Sequence, residues 1–328
     1  MQGPLHTEGN LILDATGHPV VLRGVNRIGL QTPGTSPPIT DAEVGQAKAW
    51  GANVMRVLVG EAWTDPQCPN QYIPTYLDDV DAVVHSLTSR GMVALLDLHA
   101  VTRVACGTND AWRMADAPGS IDFWQKVAAR YKDNPLVAFD LYNEPHDITN
   151  GEWRNGGAMV DWSLGTQVHW MAAGMQQLVD AVRATGATNL VAVSANGWAA
   201  DPSAILKDGA LQGTNIVYAA HAYTCPHAND TLCMANPANK QADLTPLWST
   251  VAQNYPVMIT EFGWPNPRDG TYNASVIRLA QSRTPKWGWI AFAWDGTKDN
   301  GFILLHDLTT YEPSASGVPV KQALQAPP

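Results

Sequence analysis

Two glutamates are set apart by position: Glu144 in the string LYNEPHD and Glu261 in ITEFG each follow a short apolar run. A pair of carboxyl groups is what hydrolysis of a glycosidic bond requires. One, protonated, gives its proton to the departing oxygen; the other, ionised, attacks the anomeric carbon or activates a water to do so. The two routes differ in the spacing of the carboxyls, about 5–5.5 Å for attack with retention and about 6.5–9.5 Å for inversion. Only tertiary structure sets that spacing. A single acid after an apolar run is more often a charge at a helix N-terminus, so the weight falls on the company these two keep. Arg56 lies inside an apolar run, His99 closes one, Asn143 precedes Glu144, His221 and Tyr223 close another, and Trp294 closes the last. An arginine within an apolar run needs a carboxylate partner, whether for structure or for chemistry.

The elements that must position these residues recur along the chain. Apolar runs occupy residues 21–25, 54–59, 92–98, 137–142, 190–194, 216–220, 257–259 and 289–293. Helical punctuation falls between them: Thr40 and Glu43 have capping-box spacing, Ser120 precedes IDFWQKVAARY, and further helices are expected over 76–90, 166–183, 246–253 and 272–283. Strands alternating with helices specify a parallel sheet covered on both faces. Eight such units favour closure into an α/β (β/α)8 barrel, whose active site sits at the C-terminal ends of its strands. The polar residues above fall at or near those ends, and the strands carrying Glu144 and Glu261, fourth and seventh, face each other across such a barrel. A hairpin over about 10–22, turning at DATGHP, would plug one end. A Gly/Pro/Ser-bearing tail covers about 311–328, too short for another domain, so residues 1–328 are expected to form a single catalytic domain.

Composition narrows the partners. Of 328 residues, 45% are hydrophobic and 15% charged, which suits a globular core rather than disorder. A net charge of -10 without a Lys/Arg cluster argues against nucleic acid. No apolar run approaches the ~20 residues of a membrane span, and MQGPLHTEG lacks a signal-peptide core. Four cysteines, Cys68, Cys106, Cys225 and Cys233, avoid the CxxC spacing of metal or redox sites. They are disulfide candidates, with Cys225 pairing to Cys233 across PHANDTL, and point to a secreted protein whose signal peptide is absent from the sequence; free thiols in a cytosolic enzyme are the competing reading. His99 and His221 have no third ligand at helical or strand spacing, so neither metal nor cofactor is expected, and the chain is expected to be a monomer. Thirteen tryptophans offer flat rings for the apolar faces of sugars. Trp63, Trp198 and Trp264 follow strands on the active face and are candidate stacking platforms. Trp50, Trp124, Trp170 and Trp248 lie in helical segments and are expected in the core. Asn229 and Asn273 have the spacing of glycosylation acceptors.

The strings RGVN at 23–26, MRV around Arg56, DLH ending at His99, LYNEPHD at 141–147, HAY at 221–223, ITEFG at 259–263 and AFAWDG around Trp294 together resemble glycoside hydrolase family 5, the cellulase family of retaining barrel hydrolases. The likeness runs in order from about residue 10 to about 305. It implies a covalent double displacement with Glu144 as acid/base and Glu261 as nucleophile. It also implies that Asn143 holds the sugar 2-hydroxyl, that Arg56 and Tyr223 bond Glu261, that His99 and His221 order the network, and that Trp294 is the floor under the cleaved sugar. The physics then requires a protonated Glu144 beside an ionised Glu261, with the negative charge of Glu261 raising the pKa of Glu144. The resemblance is strongest to bacterial endo-β-1,4-glucanases, implying a β-glucan substrate. Mannan, xyloglucan or an exo-acting diglycosidase are alternatives to be decided by the loops at 63–71, 100–118 and 224–243. A non-catalytic sugar-binding barrel is a further alternative, which the presence of both acids disfavours.

Overall fold

In the computed structural model, the strands of the barrel are β3 (Arg23–Arg27), β4 (Val54–Gly60), β5 (Val93–Ala100), β6 (Val137–Asp140), β9 (Val191–Ser194), β10 (Ile216–Ala222), β11 (Val257–Phe262) and β12 (Gly288–Ala291). They pair in that order, all parallel, and β12 returns to β3, closing the barrel. The structure describes residues 2–101, 112–117, 119–163, 166–223, 245–263, 270–296 and 302–327. Cys106, Cys225, Cys233, Trp264 and Asn229 lie outside the described residues, as does the whole loop at 224–243.

Each strand is buried on both faces because its side chains alternate between the lumen and the helices. On β5, Val93 and Leu95 join Val54, Ala138, Ala192, Val217, Ala219, Met258 and Ile290 in one apolar cluster, while Ala94 and Leu96 pack in the larger cluster beneath the helices. The same period of two, continued toward the C-terminal ends, gives Arg56 after Val54, Asp97 after Leu95 and Asp140 after Ala138. The lumen thus changes from apolar to charged as it nears its mouth.

The opposite end is plugged by the hairpin β1 (His6–Glu8) and β2 (Leu11–Leu13), with Leu5 and Ile12 inserted in the lumen cluster. This hairpin lies earlier than the expected span of 10–22. The DATGHP segment is a second turn after it, closed by a bridge between Leu13 and Pro19 and by Val20 N–H donating to Ile12 O at 2.8 Å.

Thr40 caps the helix Asp41–Trp50 by accepting from Glu43 N–H at 3.1 Å. The capping box is only half formed, since the Glu43 carboxylate is drawn away to the buried Arg27 guanidinium. Gly51 ends that helix at φ 102°, where a Cβ would fall 2.4 Å from Leu324 O, so only glycine fits. Helices Tyr76–Thr88, Gly119–Tyr131, Thr245–Val251 and Thr271–Gln281 match expectation, and Gly317–Gln325 adds a helix at the C-terminus. Arg23 Nη1 holds its end by donating to Ala323 O and Ala326 O at 3.2 and 3.1 Å.

The helix expected over 166–183 is corrected. Residues 166–172 form strand β8 (Thr166–Ala172), paired antiparallel with β7 (Gly157–Ser163), and the helix begins only at Met175. Gln167, His169 and Met171 are exposed while Trp170 and Ala172 are buried, the alternation of a strand. Trp170 is therefore a buried residue of a hairpin, set edge-on to Trp112 at 5.7 Å, rather than of a helix. Trp50, Trp124 and Trp248 are buried as expected. Asn273 is buried with its amide donating to Ser316 O at 3.0 Å, which removes it as a glycosylation acceptor. Among the described residues, no helix is long and apolar enough to cross a membrane.

Candidate active site

Arg56 organises the mouth of the barrel. Fully buried on β4, it donates from Nε to Asp140 Oδ2 at 2.7 Å, from Nη1 to Glu261 Oε2 at 2.9 Å and to Asn26 Oδ1 at 3.0 Å, and from Nη2 to Asn143 Oδ1 at 2.8 Å. Asp97 Oδ1 lies 2.9 Å from Nη2. One planar cation thus reaches β3, β5, β6, the residues after β6, and β11, a use of the guanidinium that a lysine could not copy. Burial opposes its charge, but Asp97, Asp140 and Glu261 more than restore it and hold the guanidinium above its ordinary pKa.

The two glutamates meet here. A carboxylate oxygen of Glu144, one of Glu261 and a ring nitrogen of His221 all lie within 4.8 Å of one another. Glu261 accepts from Tyr223 Oη at 3.1 Å as well as from Arg56. Burial, followed by the charges of Glu261 and Glu144, pushes the Tyr223 hydroxyl well above its usual pKa, so it is a phenol donor at any working pH. Glu144 Oε1 lies 2.7 Å from His221 Nδ1. His99 Nδ1 lies 2.7 Å from Asp97 Oδ2; burial opposes its charging, but Asp97 and Glu261 win and its pKa is raised.

One expectation is reversed. Burial raises the Glu144 carboxyl, but the His221 hydrogen bond and the charges of His221, His99 and Arg56 outweigh it, so its pKa lies below the ordinary glutamate value. The cations around the unliganded carboxyl exceed the influence expected from Glu261. The Glu144, His221 and Glu261 trio also has the spacing that could hold an ion. Its two acids, however, already have His221, Arg56 and Tyr223 as partners.

Of the sequence-derived candidates, Arg56, His99, Asn143, Glu144, His221, Tyr223 and Glu261 come together. Trp294 does not join them. It is fully buried, edge-on to Trp50 at 4.7 Å and stacked near Tyr311 at 6.3 Å, so its ring presents no face to a sugar. Phe292, directly after β12, is the partly exposed aromatic there, linked through Phe302 to Tyr223. Trp63 is half-buried with its indole N–H donating to Gln31 O at 2.8 Å. Gly60 makes room for it, since a Cβ would sit 2.8 Å from that nitrogen. Trp198 is 46% exposed, and its ring stacks 3.5 Å from His146 at 12°. Its backbone N–H donates to Pro145 O at 2.9 Å, tying it to the residue after Glu144, and Gly197, Trp198 and Ala199 form the connecting left-handed turn at φ 59°, 61° and 58°.

Asp97, Asp140, Asn26 and His146 were missed from sequence. The signal for the two aspartates was present, because an acid inside an apolar run, as in MVALLDL or VAFDLY, must have a buried partner. Cys68 is buried, and no described cysteine is free.

Close-set carboxyls with a guanidinium on one of them, at the C-terminal mouth of a closed (β/α)8 barrel, define a glycoside hydrolase. Residues 13–298 match the model of the cellulase family, glycosyl hydrolase family 5, and the chain belongs to that family. Among its relatives, an endoglucanase of Paenibacillus polymyxa is 27% identical, covering 95% of this chain and 85% of that one. A mannan endo-1,4-beta-mannosidase of Salipaludibacillus agaradhaerens is 24% identical over 89% of this chain and 81% of its own. A β-glucanase of Saccharophagus degradans, solved in complex with cellotetraose, shares the fold with a TM-score of 0.76 at 22% identity, covering 99% of this chain and 93% of that one.

Proposed function

We propose that this protein is a retaining endo-β-1,4-glucanase. The observation that carries the mechanism is that an oxygen of Glu144 and one of Glu261 lie within 4.8 Å of each other, a close approach that suits direct attack better than the wider spacing of an inverting pair. Glu261, held by Arg56 and Tyr223, attacks the anomeric carbon. Glu144 protonates the departing oxygen, then deprotonates the water that releases the sugar. Asn143, whose Oδ1 is committed to Arg56, turns its amide N–H groups toward the 2-hydroxyl. His99 and His221 order the acids, while Trp198 and Trp63 are stacking faces for the glucan, and Phe292 takes the place expected for Trp294. The acid must hold its proton when substrate binds, so exclusion of water by the sugar has to reverse the effect of the surrounding cations on Glu144.

The whole chain acts as one catalytic domain and as a monomer. Secretion fits four cysteines, of which the one described, Cys68, is not free, with Cys225 to Cys233 the expected pair. A second reading, hydrolysis of β-mannan by the same residues, is favoured by the mannanase relative. Incubation with carboxymethylcellulose, barley glucan, xyloglucan and mannan, with products sized and the anomer of the first product read by NMR, tests the proposal. Random mid-chain scission of glucan with a β-anomer supports it. An α-anomer, or cleavage of small glycosides alone, overturns it.

A further inference from the structure

The site holds more buried acid than the double displacement uses. Asp97 and Asp140 are fully buried and are in-register neighbours on β5 and β6, so their side chains enter the mouth side by side. With Glu261 they make three carboxyls against the single guanidinium of Arg56. Three buried carboxylates converging on one guanidinium are costly at low dielectric, and the usual escape is for the one with the fewest further partners to stay neutral.

The geometry selects which one. Asp97 faces cations with both oxygens, Oδ1 toward Arg56 at 2.9 Å and Oδ2 toward His99 at 2.7 Å. Glu261 has Arg56 on one oxygen and Tyr223 on the other. Asp97 Oδ1 and Asp140 Oδ1 both lack a hydrogen-bond partner, but Asp97 Oδ1 still lies 2.9 Å from the Arg56 guanidinium, whereas Asp140 meets that cation through Oδ2 and has no histidine on its other oxygen.

We propose that Asp140 is a positioning residue that keeps its proton in the resting enzyme, leaving the charge of Arg56 to Asp97 and Glu261, and that its ionisation extends activity to higher pH. The groups facing it are Arg56 from β4, Asp97 from β5 backed by His99, and His221 from β10, with Glu261 of β11 reached through Arg56. Burial dominates its titration; Arg56 and His221 oppose it, Asp97 assists it, and the carboxyl is raised to about 6. Below that pH the unshared Arg56 helps to depress Glu144. Above it, ionised Asp140 offsets part of the field of Arg56, the pKa of Glu144 rises, and the acid keeps its proton further into the neutral range.

The catalytic arm of the test rests on Glu144 being the acid; the other two arms do not. Asp140→Asn keeps an oxygen for Arg56 Nε and mimics the protonated state. The ratio of wild-type to variant kcat/KM is expected to grow about tenfold between pH 5 and pH 7.5, since one pKa unit is a factor of ten. A ratio constant over that range would mean a merely structural residue and overturns the proposal. In thermal melts, native Asp140 binds a proton more tightly than unfolded Asp140, so this contribution is complete below the unfolded value and fades as pH rises through about 6. The wild type should therefore lose stability over that interval relative to the variant. If the variant does not fold, infrared difference spectra of the wild type still decide: a buried protonated carboxyl band must be present at pH 5 and vanish above pH 7. Its absence at pH 5 refutes the assignment.

Discussion

His221 Nδ1 lies 2.7 Å from Glu144 Oε1, and a shift in register between Ala220 and His221 on β10 brings the histidine level with Glu261 on β11. An irregularity in one strand thus sets an imidazole beside the two catalytic acids, and bulges of this kind are a common means of re-aiming a side chain beside a site. The His221 contact lowers the pKa of Glu144, so the histidine helps to determine when the acid can give up a proton.

Removing that contact raises the pKa of Glu144. His221→Asn is therefore expected to move the basic limb of the kcat/KM profile to higher pH, because the acid stays protonated longer, while kcat falls about 10²-fold from lost orientation. Initial rates on a soluble glucan across pH 4–9 check both. A limb that moves to lower pH would contradict the effect assigned to the His221 contact.

Glu144→Gln and Glu261→Gln should each fold and each lose about 10²–10⁴ in turnover. They should differ with substrates carrying an activated leaving group. The first needs no acid assistance to glycosylate such a substrate and should show a burst of leaving group, whereas the second should show none. Stopped-flow release of a dinitrophenolate reports the difference.

Arg56→Lys replaces five donors in a plane by one ammonium group. At least two of the acceptors on Asp97, Asp140, Asn143, Asn26 and Glu261 must go unsatisfied, and disrupting a buried ion pair costs about 3–5 kcal/mol. Urea denaturation should show a loss of that order together with a deep loss of kcat. A variant as stable as the wild type would mean that the network is dispensable to the fold.

Trp198→Ala removes an exposed ring whose stack on His146 is fixed by the left-handed turn after β9. An aromatic contact worth about 0.5–1.5 kcal/mol predicts KM for long glucans raised about two- to tenfold with kcat little changed. The effect should be smaller for short substrates that do not reach the ring. An equal effect on all substrates would indicate damage to the Glu144 loop instead.

Local pattern carried much of this. All eight barrel strands were legible as apolar runs between helical segments, because a strand buried on both faces must be apolar almost throughout. Glu144, Glu261 and Arg56 were legible because polar residues at or within such runs are costly without a purpose. The β7–β8 hairpin was not, since QVHWMA flows into a helical segment and its period of two is short. Trp294 looked available because it closes the eighth run, yet it is enclosed by Trp50 and Tyr311, which come from the first helix and the C-terminal segment.

The sequence by itself determined which side chains enter the mouth of the barrel, because alternation along a strand is a local property read two residues at a time. Only the tertiary structure decided which of them touch. Closure brings β4, β5, β6, β10 and β11 around one centre, and with it the distance between the acids, the sharing of Arg56 among three carboxyls, and the pairing of His221 with Glu144. Those contacts depend on strand register and barrel closure, which no single segment encodes.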